Sequence, residues 1–244
     1  MKAPTPSRSR ADASELRPPP NSETPQARIR LASPIRGKDP APSSSPVERA
    51  PRGIGEVPAG DIARLSRWGY YADFVVYPVL IVALMLLGLW RAAPGDTTRW
   101  LLAACAGLSV WTGLEYVLHR CLLHRLPILR TLHESHHHHP GALIGTPTWV
   151  SAGLFFGLWG MLEKVLAGGA ADGVVAGLMT GYLVYVIVHD AVHHRSARHG
   201  SWLYQCKIRH AQHHRPGAHC NFGVSTGFWD TVCGTAAARQ TGSN

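Results

Sequence analysis

This chain of 244 residues holds 15 histidines, and none precedes position 119. Ten of them fall into groups with repeated spacing: His119 and His124 in HRCLLH, His133, His136 and His137 in HESHH, His189 and His193 in HDAVH, and His210, His213 and His214 in HAQHH. A helix of about 3.6 residues per turn carries i, i+3 and i+4 on one face, so each HxxHH run is expected to form a clamp. Five apart is different. About 140° separates the two rings on a straight helix, so His119 and His124 converge only where a helix ends or bends, and a helix end is expected near them. A lone histidine in an apolar stretch is usually a hydrogen-bonded core residue, and a run such as His136 to His139 can be a solvated patch. Two HxxHH clusters plus two spaced pairs, each beside an apolar segment, call for metal chemistry. Imidazole suits zinc, copper, iron and nickel, and ten ligands exceed what one four-coordinate structural zinc uses. Two metal ions are the economical count.

The elements that position these residues are apolar. The mean hydropathy of −0.03 suggests an ordinary soluble chain, but the average is diluted by residues 1–60, a Pro-, Ser- and Arg-rich stretch with runs such as RPPPNSE and PAPSSSPVERAP. With almost no aromatic residue and no apolar periodicity it cannot bury enough surface to fold, and it is expected to be a disordered tail. Neither a secretory apolar region nor a twin-arginine signal is read in it, so it is expected to be neither an export peptide nor an anchor. From residue 74 the apolar stretches approach the roughly 20 residues a bilayer helix needs. Four spans are expected: Phe74 to Trp90, Trp100 to Leu118, Thr148 to Leu166 and Ala170 to Val188. Pro78 is tolerable in a membrane helix where neighbours satisfy the freed carbonyl. Glu115, within or at the end of the second span, is costly there and so a candidate functional group, alongside the plainer reading of an interfacial carboxylate. Trp90, Trp100, Trp149 and Trp159 sit mostly near span ends, as an aromatic belt would.

Charge sets the expected orientation. If the spans cross in turn, the tail, residues 119–147 and everything after 189 share one side. Of 24 Lys and Arg, only Arg91, Arg99 and Lys164 fall in the turns of the other. The histidine side, with the N- and C-termini, is then expected to be cytoplasmic. A net charge of +9 has a sufficient cause in orientation and anionic headgroups, and no nucleic-acid motif accompanies it. The five cysteines show no CxxC pair and lie in or beside a reducing compartment, so disulfides are not expected. His139-Pro140-Gly141 matches the start of a haem-binding HPGG, but Ala142 replaces the second glycine. No GxGxxG or phosphate loop occurs, so no electron-transfer cofactor of the chain's own is expected.

Five stretches taken in order carry a resemblance: EYVLHRCLLH (Glu115 to His124), HESHHHHP (His133 to Pro140), HDAVH, HAQHH and NFGVSTGFWDTVCGT (Asn221 to Thr235). Over residues 68–236 the chain resembles the fatty acid hydroxylase and sterol desaturase superfamily of membrane di-iron oxygenases, and its NFGVST and WD pieces are most similar to the fatty acid and sterol-type hydroxylases. The resemblance implies an all-α integral membrane protein in which four transmembrane helices carry a cytosolic helical cap over a dinuclear metal site. Residues 61–236 would form that domain, with a short C-terminal tail at 237–244. It implies that His119, His124, His133, His136, His137, His189, His193, His210, His213 and His214 bind two iron ions, with zinc possible as purified, and that O2 is co-substrate. His194 is a possible substitute for His193, while His138, His139, His199 and His219 lie outside the pattern. Glu115, Asp190 and Asp230 are candidates to fix the tautomers of the ligating rings, or else ordinary helix-end and surface carboxylates.

The implied activity inserts oxygen into an unactivated C–H bond of a fatty acyl or sterol-like membrane lipid. No haem domain is read in this chain, so the electrons are expected from an external ferredoxin, cytochrome or reductase. A lipid desaturase and a carotenoid ring hydroxylase are the enzymatic alternatives, the latter disfavoured by NFGVST. A metal-binding or metal-transporting membrane protein is the alternative of another class, disfavoured because acidic residues within the spans are nearly absent apart from Glu115.

Overall fold

The computed structural model describes residues 64–238, apart from 92, 94, 95, 167 and 168. The Pro-rich stretch 1–60 lies outside the described residues. Everything regular is helical: α1 (Arg67–Tyr71), α2 (Asp73–Arg91), α3 (Asp96–Val117), a π turn (Leu118–Leu123), α4 (Pro127–His138), α5 (Thr148–Leu162), α6 (Ala170–His194), α7 (Trp202–His213) and α8 (Phe228–Val232). No strand occurs among the described residues, only an isolated bridge between Arg64 and Ile144.

Local chemistry accounts for several boundaries. The Ser66 hydroxyl caps α1 by accepting from the Gly69 N–H at 3.1 Å, and Ser201 caps α7 by accepting from Tyr204 N–H at 3.2 Å, each satisfying a donor with no intrahelical partner. Pro127 opens α4 at a position where its missing N–H costs nothing. Gly169 precedes α6 with φ of 70°, a left-handed conformation that glycine adopts without strain.

Among the described residues, three stretches are long and apolar enough to cross a membrane: Arg67–Arg91, Asp96–Leu123 and Ala170–His194. The stretch expected as a further span, 148–166, is a shorter helix of 15 residues that gives way to a turn at Glu163. At 1.5 Å per residue it reaches roughly 22 Å, less than a hydrocarbon core of about 30 Å. α2 leaves Val75, Val79, Val82, Leu86, Leu89 and Trp90 exposed, more contiguous apolar surface than a water-facing helix carries.

α6 is the centre of the bundle, with most of its length buried. Gly173, Gly177 and Gly181 recur every fourth residue along the face it turns to α3. A Cβ at Gly173 would stand 2.5 Å from the Trp100 carbonyl oxygen, and one at Gly177 would collide with the Ala104 carbonyl. On α3, Gly107 meets the Val174 carbonyl in the same way. Small residues thus let two backbones touch, which is how helices associate where water provides no driving force. An aromatic cluster joins the remaining helices: Tyr77 of α2 lies 4.6 Å from Tyr182 of α6 and 5.7 Å from Phe155 of α5, while Trp111 of α3 lies 5.4 Å from Tyr182, centroid to centroid.

The bundle has two distinct ends. At one, Arg91 pairs with Glu163 at 3.1 Å and with the fully buried Asp172 at 3.5 Å, and Trp159 Nε1–H donates to Asp172 at 2.8 Å. The turns after α2 and after α5 therefore meet at the start of α6. Seventeen residues later, roughly 25 Å along the axis, α6 delivers His189 and His193 to the other end, where α4, α7 and α8 gather.

Candidate metal centre

All ten singled-out histidines converge at that end. The π turn that continues α3 brings His119 and, just past its end, His124. α4 brings His133, His136 and His137, α6 brings His189 and His193, and α7 brings His210, His213 and, at its C-cap, His214. The helix end expected near His124 is there, but the rings converge through a device that spacing alone does not reveal. The π turn's i→i+5 hydrogen bonding places residues five apart above one another, and the two rings stack with centroids 5.2 Å apart.

The ligand-capable nitrogens form two groups, His119, His124, His133, His137 and His213 in one, and His136, His189, His193 and His210 in the other, each group's atoms lying within 4.8 Å of one another. In the first, Nε2 atoms face each other between His119 and His133 at 3.0 Å, His124 and His213 at 3.1 Å, and His133 and His137 at 3.1 Å. In the second, the pairs are His136 with His189 at 3.1 Å and His193 with His210 at 2.8 Å. His214 stands at the seam, its Nε2 3.0 Å from that of His210 and its ring stacked on His137 at 4.2 Å. The histidines outside the pattern, His138, His139, His194, His199 and His219, are all exposed. His194 turns its Nδ1 to Asp190 at 3.2 Å, so His193, not His194, faces the centre.

This donor set fits a pair of cations. The His119 Nδ1 lies 2.6 Å from the Phe222 carbonyl oxygen and the His213 Nδ1 lies 2.9 Å from that of Cys220. A carbonyl only accepts, so both Nδ1 atoms carry the ring proton and both Nε2 atoms present lone pairs inward. Two imidazole nitrogens each about 2.0–2.1 Å from one ion and at right angles to each other are about 3 Å apart, which is the spacing observed across the centre.

Burial keeps the rings neutral. It lowers His124 to about 4, with His213 beside it adding to the effect, and lowers His137 and His214 to about 3, with neighbouring imidazoles contributing. His133, His210 and His213 are pushed down by the same desolvation. Because these folded values lie below the unfolded value of about 6.5, the unfolded chain binds more protons in between, and stability rises with pH there. The metal-free centre should therefore be fully stable above about pH 6.5 and weaken as pH falls toward 4 and 3. Denaturation midpoints of the metal-free protein across that window check this; a flat profile would count against it.

Carboxylates hold the centre by a route other than the expected one. None of Glu115, Asp190 and Asp230 hydrogen-bonds to any of the ten rings among the described residues. Buried Glu115 accepts from the Val224 N–H at 2.7 Å, the Ser225 N–H at 2.8 Å and the Ser225 hydroxyl. Asp230 accepts from the Phe222 and Gly223 N–H groups, both at 2.8 Å, and from the Thr235 hydroxyl at 2.7 Å. Asn221, with φ of 55°, donates to Gln212 Oε1 at 2.8 Å and accepts from the Ala237 N–H at 3.0 Å. Together they pin residues 220–225, whose carbonyls orient His119 and His213. Replacing Glu115 with alanine strands three donors, and metal affinity should fall by about 10- to 100-fold, read by chelator titration. Metal retention equal to the parent would sink this account.

An apolar cavity of about 360 Å³ opens on the centre. His133 of one group and His136 and His189 of the other lie in its wall, with Leu123, Leu129, Leu132, Ile144, Val150 and Val186 supplying apolar surface and Tyr70, Asp73, Thr146, Tyr182 and Tyr185 the polar points.

The family model for fatty acid hydroxylase matches residues 104–235, which hold all ten histidines and the 220–225 loop. The chain belongs to the fatty acid hydroxylase family. Within that family it is 30% identical to a fatty acid 2-hydroxylase of Homo sapiens over 175 residues, covering 67% of this chain and 46% of that protein. It is 31% identical to a dihydroceramide fatty acyl 2-hydroxylase of Arabidopsis thaliana over 142 residues, 53% of this chain and 58% of that one. This fatty acid hydroxylase family member thus spans about half the length of these relatives. In fold it is similar to full-length scs7p, in which only the hydroxylase domain is visible, with a TM-score of 0.62 at 24% identity over 74% of this chain and 70% of that one.

Proposed function

We propose that this chain is an O2-dependent di-iron hydroxylase acting on the fatty acyl part of a membrane lipid. The observation that carries the reading is the junction of two histidine groups with one apolar cavity, whose wall includes rings from both. His119, His124, His133, His137 and His213 would hold one iron, and His136, His189, His193 and His210 the other, with His214 at the seam between them. When bound, the irons supply the O2 activation needed to attack an unactivated C–H bond, using two electrons from an external ferredoxin, cytochrome or reductase.

The chain's own residues do the rest. The leucines, Ile144, Val150 and Val186 bind an acyl chain by excluding water and lay it against the histidines, so that orientation of one C–H bond is part of the binding. The Phe222 and Cys220 carbonyls keep the ring protons of His119 and His213 on Nδ1, leaving both Nε2 atoms free to ligate. The relatives named for 2-hydroxylation of fatty acyl groups support this substrate class.

Membrane placement belongs to the same proposal. The three long apolar helices cross the bilayer, and the stretch 148–166 makes a fourth span beside α6, the turn after Leu162 completing the crossing that α5 is too short to make by itself. The N-terminus, a helical cap carrying the histidine centre and the C-terminus then lie on the cytoplasmic side, where most Lys and Arg accumulate. Lipid mass spectrometry of a host making the intact chain, against one making its His136→Ala/His213→Ala form, tests the activity. A lipid heavier by one oxygen only with the intact chain supports it. A lipid lighter by two hydrogens instead would make the chain a desaturase, and no change would count against the reading.

A further inference from the structure

Asp73 is the first residue of α2, one position before the apolar run of the first long span, and it is 5% exposed. The Tyr182 hydroxyl donates to its Oδ2 at 2.7 Å. Its other oxygen, Oδ1, is buried with no hydrogen-bond partner among the described residues. No Lys or Arg pairs with it there either. Asp73 and Tyr182 both line the cavity that runs to His133, His136 and His189.

Burying a polar group without a partner is costly, and in a membrane-spanning helix it marks a place where something binds. A position in the first turn of a helix gives Asp73 a favourable dipole, but that role requires neither burial nor a cavity wall. The composition of the wall narrows the partner. Among the lining residues there is no Lys or Arg, so a carboxylate head entering here would meet an acidic residue and no cation. A hydroxyl or an amide N–H would instead complete the set, with Tyr182 holding one oxygen of Asp73 and the ligand taking the other. Sites built around a donor of this kind reject analogues that lack it, because the protein group is then left unpaired.

We propose that Asp73, held in place by Tyr182, is a specificity subsite that accepts a hydrogen bond from a hydroxyl or amide N–H of the lipid, making the preferred ligand a neutral donor-bearing lipid rather than a fatty acid anion. The inference rests on the hydroxylase reading for a lipid as the cavity's occupant. Seven residues of α6 separate Tyr182 from His189, roughly 10 Å along the axis. The donor group bound at Asp73 and the C–H bond presented to the histidines therefore belong to different parts of one molecule.

The test is equilibrium binding to the purified full chain in detergent micelles, by displacement of a radiolabelled long-chain alcohol. The competitors are the alcohol, primary amide, methyl ether and carboxylate of the same chain length, each corrected for partition into the micelle. The parent should bind the alcohol and the amide roughly ten- to a hundredfold more tightly than the ether or the carboxylate, and Asp73→Leu should level the four. Asp73→Asn guards against a folding failure of that variant, since it keeps an oxygen for Tyr182 while turning an NH2 donor to the cavity. It should raise the ether and the carboxylate to the level of the alcohol. A parent that does not discriminate, or discrimination unchanged in Asp73→Asn, overturns the inference. Product formation scored in parallel separates the two claims. Oxygenated product without discrimination sinks the subsite and keeps the hydroxylase, whereas discrimination without product from any lipid keeps the subsite and counts against the hydroxylase.

Discussion

Replacing His136 with alanine should remove the metal of the second histidine group and lower product formation by about a thousandfold or more, equivalent to about 4 kcal/mol of lost transition-state stabilisation. His136 is 4% exposed, its Nε2 faces that of His189 at 3.1 Å, and its ring lies 4.7 Å from His193 and 4.9 Å from His214. His213→Ala should do the same to the first group, because His213 is fully buried and faces His124 at 3.1 Å. Alanine at His199, which is exposed and outside both groups, should leave metal and product unchanged. Iron analysis of the purified proteins, paired with product measurement, checks all three. A His136→Ala protein with a full metal complement and full activity would refute the assignment.

The second large effect lies away from the chemistry. Gly177→Val should destabilise the protein by about 3 kcal/mol or more, because overpacking at a backbone-to-backbone contact cannot be relieved by turning a rotamer. The colliding atom is the carbonyl of Ala104, so α3 and α6 must separate. α3 runs on through the π turn to His119 and His124, and α6 carries His189 and His193 at its end, so metal affinity should fall together with the thermal midpoint. Gly157 of α5 has nothing within 4 Å of where a Cβ would be. Gly157→Ala should therefore be neutral or stabilise by up to about 1 kcal/mol. Equal midpoints for the parent and Gly177→Val would show that the two backbones do not touch.

The histidine pattern was the most legible part of the molecule. Spacing of three and four on helices is a local property, and the HxxHH runs of α4 and α7 and the HxxxH of α6 deliver their rings to one side as that spacing requires. The pair five apart was legible as needing a helix end or bend. That a π turn supplies the convergence was not, because its widened hydrogen bonding answers to tertiary packing. The carboxylates show a second limit. Glu115 and Asp230 stand out by residue type, but each takes two backbone N–H groups and one hydroxyl, more than 100 residues away for Glu115 and five to eight for Asp230, a relation fixed only once the 220–225 loop docks on α3. Asp190 went to His194 and Arg195 instead. Two further features are written in the sequence itself. The glycines at 173, 177 and 181 carry the small-residue spacing of tightly packed membrane helices, and Asp73 abuts the most apolar run in the chain. Span counting was limited by the 148–166 stretch, whose apolar composition matches a span while the helix itself stops at Leu162.

Isotopic oxygen tests the central claim most directly. The full chain, purified into lipid, loaded with iron and given two electrons per turnover from a ferredoxin and its reductase, is exposed to ¹⁸O2 in ordinary water, and the lipids are weighed by mass spectrometry. The account predicts a fatty acyl lipid that has gained one ¹⁸O atom, absent when His136 is alanine. A product whose oxygen comes from water, or an unlabelled lipid from iron-loaded protein that consumes O2, would contradict it.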